Sequence, residues 1–207
     1  MSVAARTPAN LPYRARIAPV GNPDFQEVVT RPLYSDEECD AVLAALRSEG
    51  WEEAAITDAR GEGSGYDVDV RSARLQKLPE TSDWPRAELL RALAKVNAEV
   101  FRFALVGVYA SDAPAVVRYE ATRSDHFRPH QDAGRQHPRR KLTYSVQLTD
   151  GDRYLGGDLL FRDGGVLVPR ARGTLVVFPS TLHHVVSPVT RGTRDVLVGW
   201  VHGPSLV

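Results

Sequence analysis

From Ala115 to Val201 the chain is a series of short strand-like stretches with turns between them. They run over 115–119, 141–149, 158–161, 166–168, 174–178, 184–186 and 195–201. Short strands at this spacing make a sandwich or barrel of mainly antiparallel strands, not alternating βαβ units. The clearest is Lys141–Thr149. Leu142, Tyr144, Val146 and Leu148 are apolar and alternate with Thr143, Ser145, Gln147 and Thr149. Alternation puts the four polar groups on one face. That face is either solvated or turned inward to line a polar pocket.

The first half reads as support. Ser35-Asp36-Glu37-Glu38 is a capping-box signature, and Val42, Leu43 and Leu46 follow at helical spacing toward Gly50. A second helix is expected from Trp84 to Phe103, with Pro85 in its first turn and a stripe from Leu89 to Phe101 that packs on a core. Val68–Arg71 and Leu105–Tyr109 read as strands, Asp58–Tyr66 as a mobile loop, and residues 1–12 as a loose tail. The expected organisation is one domain, 13–207, with supporting elements over 13–104 and a β core over 105–203.

Composition narrows the function classes. Lys plus Arg and Asp plus Glu number 26 each, a zero formal charge that argues against a nucleic-acid or membrane-surface protein. The lone cysteine, Cys39, permits no intrachain disulfide, which fits a reducing cytoplasm. The first twenty residues lack the apolar segment of a signal peptide, and no run is long enough to span a bilayer. Nothing in the pattern signals an oligomeric state.

Chemistry concentrates at His130-Gln131-Asp132. An imidazole and a carboxylate two residues apart on an extended chain point to one side and can grip a metal from one face. Alone the motif is weak, since about one such chain in three carries it by chance. A third ligand is available downstream in His183-His184, whose side chains project to opposite sides of a strand, so only one can serve. Two imidazoles and one carboxylate with open positions suit non-haem Fe(II), and zinc can use the same set. Arg194 shares a strand face with Val196, Val198 and Trp200. Turned inward, its planar fork needs an anion and matches a carboxylate.

With Tyr119, Phe127, Gly156-Gly157-Asp158, Phe178-Pro179-Ser180 and Pro188-Val189-Thr190-Arg191-Gly192, the pattern over 115–203 resembles the prolyl 4-hydroxylase-like iron(II)/2-oxoglutarate-dependent oxygenases. The resemblance implies a mainly β fold, a double-stranded β-helix (jelly roll, cupin-like) with flanking N-terminal helices. It implies Fe(II) on His130, Asp132 and His184, the last chosen by its distance to Pro188 and Arg194. It also implies Arg194 on the distal carboxylate of 2-oxoglutarate, Tyr119 reaching the cosubstrate, and Gln147 donating to that carboxylate where relatives carry an aromatic. The implied activity consumes O2, decarboxylates 2-oxoglutarate to succinate and hydroxylates an unactivated C–H of an amino acid, peptide residue or small metabolite, with ascorbate keeping the iron reduced. Three departures weigh against peptidyl proline as substrate: a long Tyr119–His130 segment, Leu159 after the glycines, and Arg rather than Lys at 194.

Other residues have plainer readings. His126 is expected to be an exposed loop histidine, Cys39 a small core residue, and Trp200 packing that walls the cosubstrate pocket. Arg135–Lys141 is a solvated basic loop, or one that draws an anionic substrate to the pocket mouth. Asp58, Asp69 and Asp112 are given no role. The competing functions are a cupin-like metalloenzyme without 2-oxoglutarate and a non-catalytic jelly-roll binding protein. Specificity is expected in 55–66 and 123–140.

Overall fold

The computed structural model describes residues 27–57, 64–79, 83–161 and 166–205. The 1–12 tail and most of the 58–66 loop lie outside them. The first half contains β1 (Val29–Pro32), α1 (Asp36–Ala44), β2 (Glu52–Glu53), β3 (Ile56–Thr57), β4 (Ser64–Gly65), β5 (Arg71–Ser72), β6 (Arg74–Lys77) and α2 (Asp83–Val96). The second half contains β7 (Ala115–Glu120), β8 (His126–His130), β9 (Arg140–Gln147), β10 (Leu155–Gly156), β11 (Leu159–Phe161) and β12 (Val166–Leu167). It ends with β13 (Thr174–Pro179), β14 (His184–Val186), β15 (Val189–Arg191) and β16 (Thr193–His202).

Two sheets dominate: a seven-stranded one ordered β1-β13-β9-β16-β7-β6-β2 and a five-stranded one ordered β12-β11-β14-β8-β5. Every pairing in both is antiparallel. Their inner faces share an apolar cluster, Val117, Val176, Phe178 and Val196 from the larger sheet with Leu159, Phe161 and Val186 from the smaller. The antiparallel sandwich is the one expected from the strand spacing, and its form is the double-stranded β-helix that the family resemblance implied. The outer face of the larger sheet packs under α1 and α2 through Leu142, Tyr144, Val146, Leu197, Val42, Leu89 and Leu93. Side chains alternate across a strand, so β9 serves both layers at once. Among the described residues no helix is long and apolar enough to cross a membrane.

The capping box closes on α1: Glu38 N–H donates to Ser35 Oγ at 3.2 Å, and Ser35 N–H donates to the Glu38 carboxylate at 2.8 Å. Its buried side is Cys39 and Val42. Burial pushes the Cys39 thiol up to about 11, as befits an inert core residue. The second helix turns π-helical over Asn97–Phe101 and ends at Arg102 in the left-handed region, where the Asn97 amide bonds both backbone groups of Phe103. Leu89, Leu93 and Val96 form its buried stripe, while Leu90 lies outside it.

Two expected strands differ. Leu105–Tyr109 makes only an isolated bridge, Gly107 to His202. Gly107 has φ +145°, which breaks the extended run. Val68–Val70 forms a turn, because the Asp67 carboxylate accepts Asp69 N–H and its carbonyl accepts from Val70 and Arg71. The strand begins only at Arg71.

Candidate metal centre

Register explains how residues far apart in sequence meet. β14 pairs with β8 so that His184 lies opposite His130. Asp132 follows directly, its N–H and that of Ala133 donating to Ser180 O at 2.9 and 2.8 Å. The result is a compact set. His130 Nε2 stands 3.7 Å from Asp132 Oδ1, and His184 Nε2 3.5 Å from Asp132 Oδ2. All three ligand atoms lie within 4.8 Å of one another, the one such group of three among the described residues. An ion about 2.1 Å from each, at the roughly 90–109° angles of an open site, sets its ligand atoms roughly 3.0–3.4 Å apart, so the side chains would draw together by up to about 1.5 Å on binding.

Both imidazoles are oriented from behind. His130 Nδ1 meets Arg128 O at 2.8 Å and His184 Nδ1 meets Leu182 O at 2.9 Å. A carbonyl accepts only from N–H, so both Nδ1 atoms carry the proton and both Nε2 lone pairs face the shared point. Burial, then the neighbouring His184, pushes His130 down to about 4 despite Asp132. The ring is therefore neutral, as a ligand must be. Burial opposes the Asp132 charge, but His184, His130 and the Thr143 hydroxyl outweigh it and hold the carboxyl below the usual range. Thr143 Oγ1 donates to Asp132 Oδ2 at 2.7 Å and lies 3.0 Å from Ser180 Oγ. His183 is exposed and His184 buried, which separates the two candidates.

The triad opens on a cavity of about 590 Å³ between the sheets, lined also by Tyr119, Thr143, Ser145, Arg194 and Trp200. The polar face of β9 thus turns inward. Arg194 is opposite Tyr119 on β7, and Val196 is opposite Gln147 on β9. Arg194 is 5% exposed, with its Cζ 5.7 Å from the Tyr119 ring centroid. Its Nε donates to Gln147 Oε1 at 3.2 Å, and among the described residues no carboxylate pairs with it. Gln147 Nε2 donates to Thr149 O at 2.8 Å and to Tyr154 OH at 3.0 Å, so both amide hydrogens are engaged. Burial raises the Tyr119 phenol, which stays protonated. Gly157 has φ +63°, and a Cβ there would meet Val189 Cγ2 at 2.8 Å and Arg194 Cδ at 3.2 Å, so the glycine leaves room for the arginine stem.

All six sequence candidates, His130, Asp132, His184, Arg194, Tyr119 and Gln147, are therefore close around one cavity or its wall. His126 is not among them; its ring meets Ser124 O and Asp69 O. Three residues passed over in the sequence have clear places. Thr143 and Ser180 steady Asp132; the inward alternation of β9 was the available signal for Thr143. Asp112 takes both arms of Arg140 at 2.9 Å and meets His202 Nε2 at 2.9 Å. Arg140 in turn stacks 3.6 Å over Trp200 and donates to Asp132 O. Residues 28 and 90 positions apart give no local pattern from which that cluster could be read.

Comparison with known proteins agrees with the geometry. Residues 114–202 match the model of the 2OG-Fe(II) oxygenase superfamily. A PKHD-type hydroxylase of Stutzerimonas stutzeri (strain A1501) is 27% identical over 188 residues, covering 82% of this chain and 75% of that protein. Another, of Synechococcus sp. (strain CC9605), is 41% identical over 66 residues, 30% of each chain. Across this and two further curated relatives the chain spans 30–40% of their length. The crystal structure of a Pseudomonas putida prolyl-4-hydroxylase shares the fold at TM-score 0.63 and 22% identity, over 86% of this chain and 94% of that one. The matched segment, 114–202, contains all six candidate residues, and the fold is the one this prolyl-4-hydroxylase structure shares.

Proposed function

We propose that this protein is an Fe(II)- and 2-oxoglutarate-dependent hydroxylase acting on an amino acid, a peptide residue or a small metabolite. His130, Asp132 and His184 would hold the metal. Bound there with 2-oxoglutarate and O2, Fe(II) supplies oxidation of an unactivated C–H, with succinate, CO2 and an alcohol as products. The protein's part is binding and orientation. Nδ1–H bonds fix both imidazoles, and Thr143 fixes the carboxylate. Arg194 would take the distal carboxylate of 2-oxoglutarate. Gln147 accepts from its Nε, so the amide acts by orienting the guanidinium and leaves the terminal nitrogens for the ligand. Tyr119 offers a phenolic O–H at the same end. Ascorbate would keep the iron reduced, and the single, buried Cys39 is consistent with a cytoplasmic location.

One observation carries this reading. Arg194, a residue 5% exposed with no carboxylate partner among the described residues, lines the same cavity as the two-histidine, one-carboxylate set. A buried cation without an anion is costly, so the place calls for an anionic ligand. A metalloenzyme or a binding protein with no anionic ligand gives that cation no task. Calorimetry of the Fe(II)-loaded protein under anaerobic conditions should show one 2-oxoglutarate per chain. Arg194→Ala should weaken this binding about a hundredfold, as loss of a buried charge-assisted pair does. Tight metal binding with no 2-oxoglutarate uptake would leave the cupin-like alternative.

A further inference from the structure

The cavity holds more positive charge than this reaction needs. Among its described lining residues are five cations, Arg71, Lys77, Arg135, Arg140 and Arg194, against two carboxylates, Asp112 and Asp132. Asp112 is bound by Arg140 and Asp132 belongs to the triad. A divalent ion and doubly charged 2-oxoglutarate cancel one another, so the excess persists with both bound. It sits largely on Arg71, Lys77 and Arg135.

Arg71 is the best placed of the three. It lies on β5 of the smaller sheet, across the sandwich from Arg194 on β16. Its Cζ stands 4.6 Å from the Phe127 ring centroid, and Phe127 stacks on His130 with centroids 3.4 Å apart. The stack sets the guanidinium beside the metal ligands. Arg71 Nη1 donates to Ala55 O at 3.2 Å, while Nε is buried with no hydrogen-bond partner. No carboxylate pairs with Arg71 among the described residues. Lys77 and Arg135 are exposed and lie at the rim. This is a fixed inner cation with two rim cations, the arrangement that draws in and then grips an acid.

We propose that the primary substrate carries a carboxylate, bound by Arg71 and attracted by Lys77 and Arg135, so that the C–H attacked lies near an acidic group. The inference rests on the hydroxylase reading and names its substrate class. The carboxylate belongs to a free acid or to an acidic side chain in a peptide.

The test uses the full chain loaded with Mn(II), which does not turn over, and saturating 2-oxoglutarate. N-acetyl-L-glutamate and N-acetyl-L-glutamine are titrated by calorimetry, as are acetyl-Ala-Glu-Ala-amide and acetyl-Ala-Gln-Ala-amide. At least one acid should bind about tenfold or more tightly than its amide, and whichever pair shows the preference identifies the source. Arg71→Gln should bring acid and amide within about twofold, while Arg71→Lys keeps part of the preference. Lys77→Gln with Arg135→Gln should leave a smaller preference that depends less on added salt than that of the unmodified protein. That double variant lies at the exposed rim and keeps the test open should Arg71→Gln fail to fold. Equal or absent binding of acids and amides overturns the proposal, and so does a preference unchanged in Arg71→Gln. A loss of 2-oxoglutarate affinity in Arg71→Gln matching that of Arg194→Ala, with no charge preference, gives Arg71 to the cosubstrate and also overturns it. Failure of the wild-type protein to take up 2-oxoglutarate at all refutes the hydroxylase reading instead.

Discussion

Strand β9 has two buried faces that do different work. Leu142, Tyr144 and Val146 point toward the helices, while Thr143, Ser145 and Gln147 point toward the cavity. All six are buried, so burial does not mark the functional face. What marks it is partnership. Thr143 bonds Asp132 and Gln147 bonds Arg194, whereas the helix-side residues make shape contacts without direction. The helix side should therefore respond to volume and the cavity side to hydrogen-bonding capacity.

The largest effect should follow loss of a metal ligand. Asp132→Ala should leave succinate formation at background and metal uptake undetectable by calorimetry, with the fold intact by circular dichroism. Retained uptake would mean that the triad is not the metal site. On the other face, Tyr144→Ala should cost about 3–5 kcal/mol in urea unfolding. The Michaelis constant for 2-oxoglutarate should hold in whatever remains folded, and a shift there would break the separation of the faces.

The next effect is set by pH. In the metal-free protein His130 has its pKa near 4 in place of the usual 6.5. As pH falls below about 6.5 the unfolded chain takes up this proton before the folded one does. Stability should then decline down to about pH 4, by an amount on the order of 1–3 kcal/mol, and this contribution should level off below. His137, lowered by burial and by Arg140, pulls the same way. Denaturant unfolding between pH 7 and 4 reads it, and a flat profile would contradict the buried neutral imidazole.

A smaller, more selective effect is expected of Thr143→Val. The swap keeps the shape and removes the bond to Asp132, so metal affinity should fall roughly 10–100-fold with little change in melting temperature. The smallest effect should be Tyr144→Phe, within about 1 kcal/mol and neutral or stabilising, because the Tyr144 hydroxyl is buried without a hydrogen-bond partner. A large loss there would show that the helix-side face depends on polar contacts after all. Gly199 belongs to the same fit: it faces Tyr144 across the strand pair, and a Cβ there would meet the phenol oxygen at 2.2 Å.

Much of this was legible in the chain itself. The alternation from Leu142 to Thr149 contained both faces of β9, and the capping box at Ser35 located α1. His130, Asp132, His184 and Arg194 stood out because their side-chain types are few and their spacing matches a known family. The turn at Asp67–Val70 was harder to see. Valines favour a strand, and the Asp67 side chain overrode them by competing for backbone N–H groups. Gly107 similarly broke the run from Leu105 to Tyr109.

The sequence by itself determined the sandwich, the side-chain types of the triad and the arginine that shares a strand face with Trp200, because alternation and side-chain chemistry are local properties. Only the tertiary structure decided that β9 turns its polar face inward, that the Gln147 amide serves Arg194, and that Arg71 stands beside the triad on the opposite sheet. Those facts follow from strand register and from which hydrogen bonds are already taken. Both depend on contacts between segments dozens of residues apart, which no local pattern encodes.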